Sequence, residues 1–368
     1  MPRRFLFLSS LILSIWLAAC KPVVIPQTPT SLPTPSSTAV LEAVTLETQP
    51  VLSQEEKVPV IFDDDGSPDG TTALFYLLSN PHVNLLAVNI SYGEAHPAIY
   101  IQHIGRVLDQ LQRGDILLGF GQDSPLAGDN AFPESVREVS GNFWGIPIPN
   151  QSKTYPVQPA AELIVSVLNS STEPVTMFIS GPCTNLAMAL RLAPGISEKI
   201  ESIAIMGGAV YVPGNIHDFY PDSPNKVAEW NIFADPLAAK EVFESGIPLY
   251  IIPLDATNQV LVKREDVISW SEGGAAADYA SEFYRKIFDD WGWKEGAVWD
   301  VMTAAIMMNT ELCEFTDLAL QVITQPGDTN GQTAVVDDIE PNVSVCLQPD
   351  ADGIRQEFYT TYSGHSGD

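Results

Sequence analysis

The most constraining feature of this 368-residue chain is an apolar run that breaks off in carboxylates, Val58-Pro-Val-Ile-Phe62 leading straight into Asp63-Asp64-Asp65-Gly-Ser-Pro-Asp69-Gly-Thr71. Residues 58–62 are continuously apolar, and turn formers and a helical pattern follow them. They therefore predict a strand buried on both faces, as in a parallel sheet. Asp63, Asp64, Asp65 and Asp69 then gather at that strand's carboxyl end, where open α/β sheets bind their ligands. Alternation along a strand sends Asp63 and Asp65 to one side and Asp64 to the other. Carboxylates crowded in this way repel one another unless a hard cation sits among them, and an all-oxygen set suits calcium or magnesium. The same residues also fit a solvated acidic turn in which Asp69 or Thr71 caps the following helix.

The rest of the chain repeats this unit. Residues 83–90 predict a second strand ending in Ser91-Tyr-Gly-Glu94-Ala-His96, followed by a helix over 98–112 and a short strand over 116–119. This rhythm argues for one large α/β domain with an open, mostly parallel doubly wound sheet and helices on both faces. Further strands are expected over 175–180, ahead of Gly181-Pro-Cys-Thr184-Asn185, and over 200–206, ahead of Gly207-Gly and Gly214-Asn215. Glu229 and Asn231 sit two residues apart before a helix, and in an extended segment both side chains would aim the same way. A strand over 249–253 and a helix over 298–308 complete the pattern. Asp300 lies in that last helix's first turn, where a carboxylate also complements the helix dipole. His96 reads as a solvated loop histidine. Residues 121–155 are rich in Gly, Pro and Asn, carry Phe143 and Trp144 and show no period, which predicts a long functional loop of the kind that forms lids.

The chain begins with Arg3 and Arg4, an apolar stretch over 5–17 and Ala18-Ala-Cys20, the order of a secretory signal too short to span a bilayer. Leu17-Ala-Ala-Cys20 resembles a bacterial lipobox, so residues 1–20 are expected to be removed or lipidated at Cys20. The protein is then exported and held at the membrane by a lipid anchor. Residues 21–57 are rich in Pro, Thr and Ser and predict an extended tether; the folded domain is expected over 58–368. The net charge of −28 disfavours nucleic acid as a partner. Cys183, Cys313 and Cys346 allow one intramolecular disulfide, with the pairing left open.

These motifs resemble the inosine–uridine preferring nucleoside hydrolase family. Asp63, Asp65 and Asp69 match the first three acids of its D-x-D-P-G-x-D-D pattern, and Gly181-Pro-Cys-Thr184-Asn185 matches its GP-L-TN turn. Met206-Gly-Gly, Gly214-Asn215, Glu229-Trp-Asn231 and Asp235-Pro match its MGG…GN…EFN stretch, and Trp299-Asp300 matches its HD helix start. The matches run in family order over 58–308. The resemblance implies cleavage of the N-glycosidic bond of nucleosides or related ribosides by a metal-activated water. Asp65 would be general base and calcium ligand, with Thr184 (through its carbonyl) and Asp300 as further ligands. Asp69, Asn215, Glu229 and Asn231 would hold the ribose, and Glu94 and Trp299 would also face the substrate. Homo-oligomerisation is left open.

Three departures fall on chemistry. The second Asp of the pattern's terminal pair, a calcium ligand, is Gly70; the His that protonates the leaving base in some members is Trp299; and an Asn after Gly in the second strand-end loop is Glu94. The resemblance therefore implies weaker calcium or another divalent cation, unless a neighbour compensates. Gly70 and Trp299 favour an alternative, a non-catalytic lipoprotein that keeps the ribose pocket, whereas Asp65 favours the enzyme. A hydrolase of another polyol or glycoside is a third reading.

Overall fold

The computed structural model describes residues 57–150 and 152–364, so the leader and, apart from Lys57, the tether lie outside the described residues. Strands β1 (Val58–Asp64), β2 (Val83–Ile90), β3 (Leu117–Phe120), β4 (Gln158–Pro159), β5 (Val175–Ile179), β6 (Ile200–Met206) and β7 (Leu249–Ile252) pair in parallel. The short strands β8 (Leu261–Lys263) and β9 (Glu295–Ala297) form a separate antiparallel ribbon. Strands β10 (Cys313–Leu318) and β13 (Val343–Pro349) extend the main sheet beyond β7, and β11 (Leu320–Val322) pairs with β12 (Thr333–Val335). The helices are α1 (Pro68–Ser79), α2 (Pro97–Gln110), α3 (Glu134–Gly141), α4 (Ala160–Ser170), α5 (Thr184–Leu192), α6 (Trp230–Ala234), α7 (Pro236–Phe243), α8 (Leu254–Thr257), α9 (Arg264–Ser269), α10 (Ala275–Trp291), α11 (Trp299–Met308) and α12 (Ala351–Ser363).

The order of the nine-stranded sheet, β10-β13-β7-β6-β5-β1-β2-β3-β4, fixes where a ligand can sit. From β1 the chain winds outward through β2, β3 and β4, then returns to the other side of β1 and winds the opposite way through β5, β6 and β7. Loops leaving β1 and β5 therefore diverge, and the crevice between them opens at the strands' carboxyl ends. All the acids at the end of β1 fall at this reversal.

Strand alternation divides the core as the sequence predicts. Val60 and Phe62 join a cluster with Leu74 of α1, Ile104 of α2 and Phe283 of α10, whereas Ile61 joins Ile179, Leu186 of α5 and Val242 of α7 on the opposite face. Continuing the alternation, Asp64 lies toward α1, and Asp63 and Asp65 lie toward α5.

Several local expectations change. Helix α1 begins at Pro68, and its cap is Ser67, not Asp69 or Thr71. Ser67 accepts a hydrogen bond from Gly70 N, and Pro68 needs no donor at the first helical position. The segment 121–155 is not wholly irregular, since it contains α3 and a 3₁₀ turn, Phe143–Gly145. Glu229 and Asn231 do not lie in an extended segment: Glu229 caps α6 and Asn231 is in its first turn. Cys313 pairs with Cys346 across β10 and β13, leaving Cys183 free and buried. None of the helices among the described residues is long and apolar enough to cross a membrane.

Candidate active site

The acidic loop after β1 is held by its neighbours' backbones. Ser180 N donates to Asp63 O (2.9 Å), Ser91 N to Asp64 O (2.6 Å) and Ala95 N to Asp65 O (2.8 Å), so the ends of β1, β2 and β5 are tied together. Asp65 is clamped between two glycines. A Cβ at Gly93 would lie 2.2 Å from Asp65 Oδ2, and one at Gly181 would lie 2.7 Å from Asp65 Cβ. Glu94 N donates to Asp65 Oδ2 (3.2 Å), but Asp65 Oδ1 is buried without a hydrogen-bond partner. A second clasp covers this loop: Ser140 Oγ (3.0 Å) and Trp144 Nε1 (2.9 Å), both from the 121–155 segment, donate to Gly66 O.

The start of α11 leans on the start of α1. Ser67 Oγ donates to Asp300 Oδ2 (3.1 Å), and Asp300 N approaches Asp69 Oδ2 at 3.4 Å. Across the crevice, Glu229 accepts from Asn231 N (2.8 Å), Gly208 N (3.0 Å) and Ile232 N (3.2 Å). Burial pushes the Glu229 carboxyl up to about 7 against the pull of these donors. Asn231 Nδ2 donates to Met206 O (3.0 Å), and Asn215 Oδ1 accepts from Trp230 N (3.0 Å).

These walls enclose a cavity of about 360 Å³ lined by Asp65, Asp69, Glu94, Asn215, Glu229, Asn231, Trp299 and Asp300. Its size falls within the range of small-molecule sites, about 300–1,000 Å³. Thr184 is the predicted residue whose side chain does not take part; it is buried and donates from Oγ1 to Asp235 Oδ2 (2.7 Å). His96 lies away from the cavity, between Asp123 (2.8 Å) and Glu134 (3.0 Å). The sequence reading missed an aromatic part of the wall formed by Phe132, Phe219, Trp230 and Trp293. Phe132 stacks on Trp230 with ring centroids 4.2 Å apart. Trp230 was legible only as the residue between Glu229 and Asn231, and Phe132 went unnoticed in the 121–155 segment, where Phe143 and Trp144 drew the attention. A separate cavity of about 280 Å³, beside Glu201, Tyr250 and Phe315, contains none of the predicted residues.

Burial raises the carboxyls of Asp65, Glu94 and Asp300 well above the usual range, and repulsion from neighbouring acids raises them further. Among the described residues, no three acidic, His or Cys side chains meet as a finished metal cage. The donor set nevertheless fits a hard divalent cation: all the candidate atoms are oxygens, the acids are buried, and Asp65 Oδ1 has no partner within the protein.

A cavity at the sheet's reversal, walled by carboxylates and amides, is the equipment of an enzyme that hydrolyses a glycosyl bond. The chain belongs to the inosine-uridine preferring nucleoside hydrolase family, whose sequence profile matches residues 60–356. It is accordingly an N-glycosyl hydrolase of the ribonucleoside type, in a metal-dependent family, and the non-catalytic alternative is not favoured. The chain is 31% identical over 322 residues to the pyrimidine-specific ribonucleoside hydrolase RihA of Citrobacter koseri, covering 83% of this chain and 99% of that one. It is 34% identical over 283 residues to the RihA of Shewanella oneidensis, covering 75% and 86%. Among solved structures it is similar to the purine-preferring ribonucleoside hydrolase of Gardnerella vaginalis, with TM-score 0.72, 25% identity and coverage of 83% and 98%. It is also similar to the inosine-uridine preferring nucleoside hydrolase of Bacillus anthracis, with TM-score 0.72, 27% identity and coverage of 83% and 99%.

Proposed function

We propose that the protein hydrolyses ribonucleosides with Asp65 as general base, and that calcium is its cation. The observation that carries this reading is Asp65, which lines the cavity with Asp69, Asn215, Glu229 and Asn231 and has a buried Oδ1 without a hydrogen-bond partner. Asp65, Asp300 and the Thr184 carbonyl would hold the ion. When bound, a divalent cation lowers the pKa of a water and fixes its position. Asp65 accepts the proton of the attacking water as oxygen bonds to the anomeric carbon and the bond to the base nitrogen breaks. Asp69, Asn215, Glu229 and Asn231 hold the ribose hydroxyls, and the surrounding carboxylates stabilise the positive charge that develops on the sugar. Trp299 and the aromatic pair Phe132 and Trp230 offer flat apolar surface to the leaving base. The named relatives include pyrimidine-specific and purine-preferring enzymes, and both base classes belong in the assay. We also read the chain as exported and anchored through Cys20, on the order of basic, apolar and small residues in its leader.

The test is release of free ribose from a panel of purine and pyrimidine nucleosides, with calcium and with chelator. Asp65→Asn should abolish turnover, since an amide keeps the shape but cannot take the proton, whereas Asp69→Asn should chiefly raise KM. Near-normal turnover by Asp65→Asn would rule out this base.

A further inference from the structure

We propose that Asp64 supplies the carboxylate that residue 70 lacks, so that one acidic ligand of the cation site has moved from helix α1 to strand β1. The inference rests on the cation reading above and adds a residue to it.

Strand alternation sends Asp64 toward α1, away from Asp63 and Asp65, and the first turn of α1 contains Gly70. An ideal Cβ at Gly70 would lie 1.9 Å from Asp64 Oδ1 and 2.8 Å from Asp64 Cγ, with Ser67 Oγ also at 2.8 Å. The Asp64 carboxylate therefore fills the ground from which a residue-70 side chain would start, and no side chain at 70 could be added without moving it. Asp64 is buried and held there by Ser180 Oγ at Oδ1 (3.0 Å) and by Gly66 N at Oδ2 (3.1 Å). A carboxylate offers about four lone-pair sites, so these two bonds leave oxygen free to ligate.

A second observation, independent of the cluster's charge, points to a ligand: Asp65 Oδ1 is fully buried, without a partner, and Asp65 lines the cavity. Ser67 links the ground that Asp64 occupies to Asp300. It donates to Asp300, caps α1 at Gly70 and stands beside the same ground as Asp64. Asp64 is thus packed against the end of α1 that carries Asp69, and Asp69 and Ser67 in turn bond to Asp300. Gly70 in this chain is then an exchange, not a loss: with a side chain at 70, Asp64 could not keep its place.

The test is calorimetric titration of calcium chloride into the purified protein, with melting in chelator as the check on folding. Wild type should bind calcium, and Asp64→Asn should bind it about 10–100-fold more weakly, because ligand charge and number set calcium affinity. Gly70→Asp alone should not tighten binding, since its Cβ meets the Asp64 carboxylate, whereas Asp64→Ala with Gly70→Asp should recover part of what Asp64→Asn loses. Wild-type affinity in Asp64→Asn, or tighter binding in Gly70→Asp alone, overturns the exchange while leaving the cation reading intact. No calcium heat from wild type overturns both. If Asp64→Asn fails to fold, Gly70→Asp still decides, because a vacant ligand position predicts a gain and an occupied one does not.

Discussion

Gly93→Ala tests the geometry of the site without changing a polar group. Its Cβ would sit 2.4 Å from Asp65 Cβ and 2.7 Å from Asp65 Cγ, where ordinary contacts begin near 3.4 Å. The two must therefore part by about 1 Å, and a misplacement of that size costs on the order of 10²-fold in rate. Gly93 follows the end of β2, whose backbone is tied to β1 by Ser91 and Ala95, so the strain falls on Asp65 rather than on a free loop. Overpacking of this kind costs roughly 1–3 kcal/mol, a few degrees in Tm for a domain of this size. The assay is kcat and KM for ribose release together with a melt, and Gly114→Ala, which meets nothing within 4 Å, is the control. Turnover in Gly93→Ala within about threefold of wild type, with a folded protein, would refute the claim that Asp65 must stand where the two glycines hold it.

Glu229 should make stability depend on pH. Its folded pKa of about 7 exceeds the ordinary glutamate value of 4.5, so its contribution is fully present below about pH 4.5 and is lost as pH rises through about 7. The Tm of Glu229→Gln relative to wild type should therefore rise between pH 5 and pH 8, by the equivalent of about 3 kcal/mol at most, and a constant difference across that window would sink the assignment. Cys20→Ser should move the protein from the membrane fraction to the soluble fraction; retention of the Ser variant at high salt would disprove the lipid anchor.

The strand and helix rhythm was legible because buried parallel strands such as β1, β5 and β6 are short apolar runs that end in turn formers. The rhythm alone brings the loops after β1 and β5 side by side, since a sheet that reverses its winding must do so, whereas the parts assigned to Asn215, Glu229, Asn231, Trp299 and Asp300 came from the family resemblance. The edge formed by β10 and β13 was not legible: Cys313-Glu-Phe-Thr-Asp-Leu318 alternates weakly and is half exposed, and its disulfide partner is 33 residues away. The form of Glu229-Trp-Asn231 was also missed. Period two and a helical cap both place residues 229 and 231 near one wall, and only the backbone donors of α6 decide between them. The Asp64 contact with Gly70 needs the helix to be seated on the strand, which no reading of either segment alone provides.

The carbonyl of Gly66 takes both Ser140 and Trp144, so one backbone oxygen joins the enclosing segment to the loop that carries Asp65 and Asp69. Two such bonds are worth about 1 kcal/mol each net, enough to bias the joined arrangement roughly thirtyfold over the parted one. Anything that firms the acidic loop therefore also holds the 121–155 segment against it, and parting the two would cost both bonds at once. One backbone oxygen thereby makes the placement of Asp65 and Asp69 depend on residues more than seventy positions further along the chain.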